Sequence, residues 1–244
     1  MIKVGVSIVS HNNQDEIIQN HANYNSMENV EFEVCITDNT GNNTLKKFCE
    51  EKQYRYILNK TTKGFGENNN QNFKWLRESE INLLLIINPD AKIDVPNYVK
   101  FLNKIWKDKW DIFGAKVIEP INIYSSQRRK FPKIYHPLLS LLTKKKYFML
   151  DPKISSIVDW VGGSFLNVRF ESYKKLKGFD ERFFMYYEDV DLCRRAKNEG
   201  MTVMYYSDFS FEHSAKRAGH KIFSKYFFLN IQSMIRYFFY HSKI

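Results

Sequence analysis

The sequence predicts an α/β fold: a mostly parallel, doubly wound sheet flanked by helices and followed by C-terminal aromatic and basic helices. Three observations carry this expectation. Short apolar runs alternate with helix-like segments along the first third of the chain, the pattern that builds a parallel sheet. The run Asn82 to Ile87 (NLLLII) is apolar without alternation, which suits a strand buried on both faces. Three strand ends finish in polar clusters, Ser10-His11-Asn12, Asp38-Asn39-Thr40 and Asn88-Pro89-Asp90, at the edge where such sheets bind ligands.

Taken in order, Ile2 to Ser10 is an apolar run stopped by His11-Asn12-Asn13 and reads as the first strand. Asp15 to Tyr24 has helical character, and Glu31 to Thr37 is a second strand ended by Asp38-Asn39-Thr40-Gly41. Thr44 to Lys52 is a helix, Tyr54 to Leu58 a strand, Asn69 to Glu78 a helix and Asn82 to Ile87 a strand. The second half loses this alternation. Ile121 to Ser156 holds eight Lys or Arg, among them Arg128, Arg129 and Lys144 to Lys146, against one acid, Asp151. It reads as a basic, partly irregular insertion, either a solvated loop or a surface for an anionic substrate or lipid headgroup. Val158 to Val168 reads as a strand pair broken by Gly162-Gly163, Asp189 to Lys197 as a helix stopping at Gly200, and Thr202 to Tyr206 as a strand. Lys221 to His241 is aromatic and basic throughout. No repeat or interdomain linker interrupts the chain, so one domain with a C-terminal appendage is expected.

The 244 residues, 43% hydrophobic and 26% charged, suffice for a folded core and exclude a disordered tail, a collagen-like rod and a polytopic membrane protein. A net charge of +10 with 16% aromatic residues points to an anionic partner: nucleic acid, nucleotide phosphate or an acidic membrane. No recognition-helix, RNP or zinc signature supports the first, so no nucleic-acid partner is expected. Cys35, Cys49 and Cys193 form an odd set without CxxC spacing, which argues against a disulfide framework and for a reducing compartment. The N-terminus lacks a signal peptide and no run reaches ~18 apolar residues, so a cytoplasmic location is expected.

Several segments can carry chemistry. Gly64-Phe65-Gly66 precedes a helix, where glycines allow close backbone approach, but neither GxGxxG nor GxxxxGK[ST] is present. Asn68, Asn69 and Asn70 are helix caps or hydrogen-bonding groups for a polar ligand such as a sugar. Asp90, after the most hydrophobic strand, either belongs to a structural strand-end turn or holds a hard divalent cation such as Mg2+ or Mn2+ completed by phosphate and water. Glu188, Asp189 and Asp191 open a helix, where Asp189 is either its N-cap or a general base; Leu192, Cys193 and Ala196 form a core stripe from which Arg194 and Arg195 turn away. His213 follows the last strand and is either structural or a metal ligand.

The ordered set VSIVSHN, TDN, KGFGENNNQNF, NPDA, DWVGGSFLNVR, KGFDERFFMYYEDVDLCRRAKNEG and FEHSAKRAG resembles the bacterial family-two inverting glycosyltransferases of GT-A (Rossmann-like) fold. The match is to their rhamnosyltransferase and galactofuranosyltransferase-like branch and spans residues 3 to 220. The resemblance implies a donor half in residues 1–118, an acceptor and catalytic half in 119–220, and an appendage in 221–244. It implies that Asp38 pairs with the nucleotide base and that Ser10, Asn12, Gly64, Phe65, Gly66, Asn70 and Asn88 line the nucleotide-sugar pocket. Asp90 stands as the last acid of the metal motif, whose first acid is replaced by Asn88, and His213 as the late metal ligand. Asp189 is the implied base, with Glu188 beside it, and Trp160, Gly162 and Gly163 lie near the acceptor. Asn72 stands where the family favours glycine.

The implied activity moves a sugar, rhamnose first among the donors, from a dTDP- or UDP-linked sugar to a hydroxyl of a lipid-linked saccharide in surface polysaccharide synthesis, with Mg2+ or Mn2+ and inversion. A UDP-hexose or galactofuranose donor is the alternative, as is an inactive nucleotide- or membrane-binding partner subunit, suggested by Asn88. The tail, with Phe223, Tyr226, Phe227, Met234 and Phe238 among Lys225 and Arg236, reads as amphipathic helices on the inner face of the cytoplasmic membrane. Packing on the domain or on a second subunit, as in a homodimer, explains it equally well.

Overall fold

A computed structural model describes residues 1–118, 129–135, 153–214 and 224–241. Most of the basic insertion, including Arg128 and Lys144 to Lys146, and residues 215–223, including Phe223, lie outside the described residues. Strand β1 (Ile2–Ser10) forms because Val4, Val6 and Ile8 bury fully on one face, while Gly5 and Ser7 leave room for a helix on the other. It pairs in parallel with β2 (Val30–Asp38) and β4 (Leu83–Ile87), and β2 pairs in parallel with β3 (Arg55–Leu58). As expected, β4 is buried on both faces: Leu83, Leu85 and Ile87 enter one core, Leu84 and Ile86 the other.

Beyond β4 the sheet becomes mixed. β8 (Phe165–Arg169) runs antiparallel to both β4 and β6 (Ile112–Ile118). β9 (Val203–His213) is parallel to β6, and the short β5 (Ala91–Lys92) and β7 (Ser156–Ile157) add antiparallel to β9. The parallel expectation holds for β3-β2-β1-β4, and beyond it the sheet is mixed, with β6 and β9 again parallel. The stretch 158–164 leading into β8 is irregular. The expected strand pair over Val158 to Val168 is corrected accordingly: β8 begins only at Phe165, and Trp160 makes an isolated bridge with Arg129.

Two cores sandwich the sheet. α1 (Gln14–Asn20), α2 (Asn43–Glu51) and α4 (Val95–Ile105) cover one face. α3 (Phe65–Leu76), α5 (Phe170–Lys175), α6 (Glu188–Asn198) and α7 (Lys225–His241) cover the other. α3 starts at Phe65 rather than Asn69, so its asparagines lie inside the helix and are not caps. α6 is preceded by Tyr187 in the left-handed region and has no side-chain cap, which removes the capping role for Asp189. Nor do both arginines turn away: Arg195 donates to Asp191 at 2.8 Å and to the Leu176 and Gly178 carbonyls, and Arg194 stacks 4.5 Å from Phe131. The tail is a single described helix, α7, anchored by buried Ser233 and Tyr237. No helix among the described residues is long and apolar enough to cross a membrane. Cys35, Cys49 and Cys193 are free and buried.

Candidate active site

The parallel register brings the ends of β1, β2 and β4 to one edge, with Ser10 opposite Asp38. Asp38 is fully buried there, and its oxygens accept from the Thr40 amide and hydroxyl, the Asn42 amide and Tyr56. Burial pushes its carboxyl up, but these bonds outweigh burial and hold it below its ordinary value. All four acceptor positions are filled, so contact with a nucleotide base requires one donor to leave. Ser10 is also corrected: it is fully buried with an unpartnered hydroxyl, and its neighbours Val9 and His11 line the cavity at this edge. Asn12 is exposed at φ 60°, its amide donating to Thr40 at 3.4 Å. The cavity holds about 410 Å³ and is also lined by Asn39, Lys63, Phe65, Asn88 and Asp90.

The glycines at the start of α3 serve close packing, but against the chain itself. A Cβ on Gly64 would lie 2.6 Å from the Phe184 carbonyl oxygen, and one on Gly66 2.8 Å from the Phe179 Cβ. Phe65 alone of this trio faces the cavity. Asn70 is corrected from substrate ligand to scaffold. Its amide donates to the Phe179 carbonyl and Glu181, and its oxygen accepts from Tyr173 and the Phe179 amide, which exhausts its capacity. Asn69 and Asn72 bond to Ser7 on β1, and Asn72 also reaches Thr37 and the Ile8 carbonyl. Asn39, Asn59 and Asn68 form a further mesh that fixes the loop before α3.

Asp90 and His213, 123 positions apart in sequence, meet because β5 pairs with the end of β9, with Ala91 opposite His213. Their side chains approach to 3.2 Å, each about 15% exposed. One carboxylate oxygen and one imidazole nitrogen suit Mn2+ or Mg2+ if phosphate and water supply the rest; among the described residues no group of three or more His, Cys, Asp and Glu is placed to hold a metal. The turn carrying Asp90 rests on His21, which sequence reasoning missed because a lone buried histidine has no sequence signature. Its Nε2 donates to the Asn88 and Pro89 carbonyls at 3.1 and 3.2 Å, so Nδ1 is the acceptor for the Tyr24 hydroxyl at 3.0 Å. Burial pushes His21 down to about 4, which keeps it neutral.

Tyr186 and Tyr187, at φ 69° and 66°, turn the chain into α6. Consecutive left-handed non-glycine residues cost of order 1–3 kcal/mol each and persist only where packing dictates them. Here Tyr187 packs 5.4 Å from Tyr237, and Ser233 donates to the Met185 carbonyl at 2.8 Å. The turn delivers Glu188 and Asp189. Asp189 accepts from the Gly163 amide at 2.9 Å and the Val190 amide at 2.8 Å, so the Gly162-Gly163 segment positions it. Glu188 is buried with an unpartnered Oε2. Burial and then the neighbouring Asp189 push Glu188 well above the carboxylate range; burial also raises Asp189, opposed by Arg129 and the two amides. Both acids line a second cavity of about 360 Å³ with Trp160, Tyr186 and Arg129, whose guanidinium lies 4.4 Å over the Trp160 ring. Tyr186 lines both cavities.

No family model matches the chain. Among solved structures it is similar to S. aureus TarS 1–349 in complex with UDP-GlcNAc, with TM-score 0.65 and 14% identity over 93% of this chain and 64% of that one. It is also similar to GalNAc-T7 with UDP, GalNAc and Mn2+, with TM-score 0.64 and 12% identity over 98% of this chain and 48% of that one. The chain thus spans from about half to under two thirds of those structures, and its fold is that of the GT-A glycosyltransferases. Rhamnosyltransferase WbbL of Escherichia coli K12 is 29% identical over 96% of this chain and 92% of its own length. N-acetylglucosaminyl-diphospho-decaprenol L-rhamnosyltransferase of Mycobacterium tuberculosis is 48% identical over 48 residues, 20% of this chain and 16% of that one. In sequence the chain is thus similar to rhamnosyltransferases, and in fold to the GT-A glycosyltransferases.

Proposed function

We propose that the chain is an inverting hexosyltransferase of family-two type that moves a sugar, rhamnose first, from a dTDP- or UDP-linked donor to a hydroxyl of a lipid-linked saccharide. The observation that carries this reading is that Asp90, paired with His213, lines one cavity and Asp189 another, the two sharing Tyr186. The donor enters the first cavity, where Lys63 and Lys225 face its diphosphate. Residues 1–118 supply most of that cavity, residues 119–220 the acceptor side, and the 221–244 appendage closes both. The acceptor sugar lies against Trp160 and Tyr186, whose apolar faces suit a sugar ring. Asp189, ionised and held by two amides, takes the proton of the acceptor hydroxyl. The freed oxygen attacks the anomeric carbon opposite the departing diphosphate, so configuration inverts and no covalent enzyme intermediate forms. Glu188 retains its own proton throughout. Asp90 and His213 would hold Mg2+ or Mn2+, which supplies charge stabilisation to the leaving diphosphate.

The named relatives support the donor and acceptor classes: WbbL is a rhamnosyltransferase, and the mycobacterial protein carries a diphospho-decaprenol acceptor in its name. Such an acceptor would bring the protein to the inner face of the cytoplasmic membrane. Asn88, in place of an acid beside Asp90, favours a second reading, a nucleotide-binding subunit without turnover. Release of nucleoside diphosphate from a panel of nucleotide sugars, with Mg2+ or Mn2+ and a lipid-linked acceptor mixture, separates the two. Donor-selective, metal-requiring release that falls by about 10² to 10⁴ in Asp189→Asn is the expected outcome. Nucleotide binding without release supports the second reading, and neither binding nor release overturns both.

A further inference from the structure

The two faces of α7 do different things. Its inner face closes the site: Ser233 and Tyr237 are buried, Asn230 and Met234 line the Asp189 cavity, and Lys225, Tyr226 and Leu229 line the donor cavity. His241 at its end meets Asp191 of α6 at 2.9 Å. On the outer face Phe228, Gln232, Ile235 and Phe239 follow one another at spacings of four, three and four, one stripe of a helix. Phe228 is 57% exposed, Ile235 61% and Phe239 68%, with Tyr240 beside them at 41%.

Charge distinguishes among the occupants of such a stripe. From Ser214 to Ile244 the sequence contains no Asp or Glu, while Lys216, Arg217, Lys221, Lys225, Arg236 and Lys243 are basic. A second copy of the chain would bring its own α7 basic residues against these. An anionic lipid surface instead attracts the basic, acid-free segment that carries this apolar stripe, and that combination is what binds an interfacial helix. We propose that the outer face of α7 rests on an anionic bilayer, with Phe228, Ile235 and Phe239 entering the headgroup boundary. A helix with side chains is about 10–12 Å across, so the bilayer surface lies one helix diameter from the cavity that holds Asp189. A sugar on a lipid diphosphate then reaches that cavity without leaving its membrane. This inference rests on the reading of the two cavities as a transferase site and adds the partner and the surface that meets it.

The test uses the full chain without donor or metal, sedimented with vesicles of phosphatidylcholine alone or mixed with phosphatidylglycerol. Wild type should partition to the anionic vesicles, less so as salt rises. The double variant Phe228→Ser with Ile235→Ser should lose partitioning by about tenfold or more, while Phe228→Leu with Ile235→Leu retains it. Both should still release nucleoside diphosphate with a water-soluble short-chain acceptor, because neither side chain lines a cavity. Independently, Ile235→Trp should add a blue-shifted emission component with anionic vesicles. Wild type that stays in solution, serine variants that partition like wild type, or an unshifted tryptophan each overturns the proposal. So does a wild-type dimer that the serine variant splits while vesicle binding is unchanged, which would assign the face to a second copy. Vesicle binding without sugar transfer defeats the transferase reading alone, and transfer to a soluble acceptor without vesicle binding defeats this one alone.

Discussion

Glu188 carries an oxygen with no partner, while its neighbour Asp189 accepts two backbone N–H groups. Burial raises Glu188 in the folded chain, so between its unfolded and folded values the unfolded chain has already lost a proton that the folded chain retains. Stability therefore falls as pH rises through that window. Glu188→Gln should raise the thermal unfolding midpoint more at pH 8 than at pH 5, measured by circular dichroism at both. His21→Phe should cost about 1–3 kcal/mol in denaturant midpoints, because it strips the donor from two carbonyls, and should raise the metal concentration needed for half-maximal turnover. At this scale the sequence exposes acids and histidines well: Asp90 meets His213, and Asp189 lines the neighbouring cavity. It exposes asparagine poorly. Asn70, and Gly64 and Gly66 nearby, sit in a motif that reads as a ligand pocket, yet their partners are Phe179, Tyr173 and the Phe184 backbone, all more than 100 positions away.

At the scale of elements, α7 is the piece on which the catalytic turn depends. Tyr237 packs against Tyr187 with its hydroxyl buried and unpartnered. Tyr237→Phe should accordingly be neutral or stabilising, while Tyr237→Ala should cost about 3 kcal/mol and lower turnover by freeing Tyr186 and Tyr187. Chemical denaturation and nucleoside diphosphate release check the two halves. Apolar runs reveal strands reliably, since β4 carries its double burial openly. Boundaries are less legible: α3 begins at Gly64 with no capping side chain to announce it. α4 does carry start signals, Asp94 accepting from the Asn97 amide and Pro96 in its first turn, with apolar residues at Tyr98, Val99, Phe101, Leu102 and Ile105. β8 has no such marker, because strand direction depends on a connection rather than on composition.

Across the whole molecule the sheet divides the labour. Its parallel part, β3-β2-β1-β4, presents the strand ends that line the cavity of about 410 Å³, and the pairing of β5 with β9 in its mixed part brings Asp90 to His213. A nucleoside diphosphate with Mn2+ at about one hundred times its dissociation constant should stabilise the fold by about 2.7 kcal/mol, read as a raised unfolding midpoint. Asp90→Ala should remove the manganese-dependent part of that gain and leave any nucleotide-only part.

Three thiols are distributed over this architecture, Cys35 on β2, Cys49 on α2 and Cys193 on α6, and burial pushes each up to about 12. The thiolate is the reactive form, so the native chain is chemically quiet toward alkylating reagents. Each cysteine becomes a clock for the layer that covers it: labelling of Cys193 times the opening of the catalytic side, and labelling of Cys35 and Cys49 times the loss of the sheet beneath the donor edge.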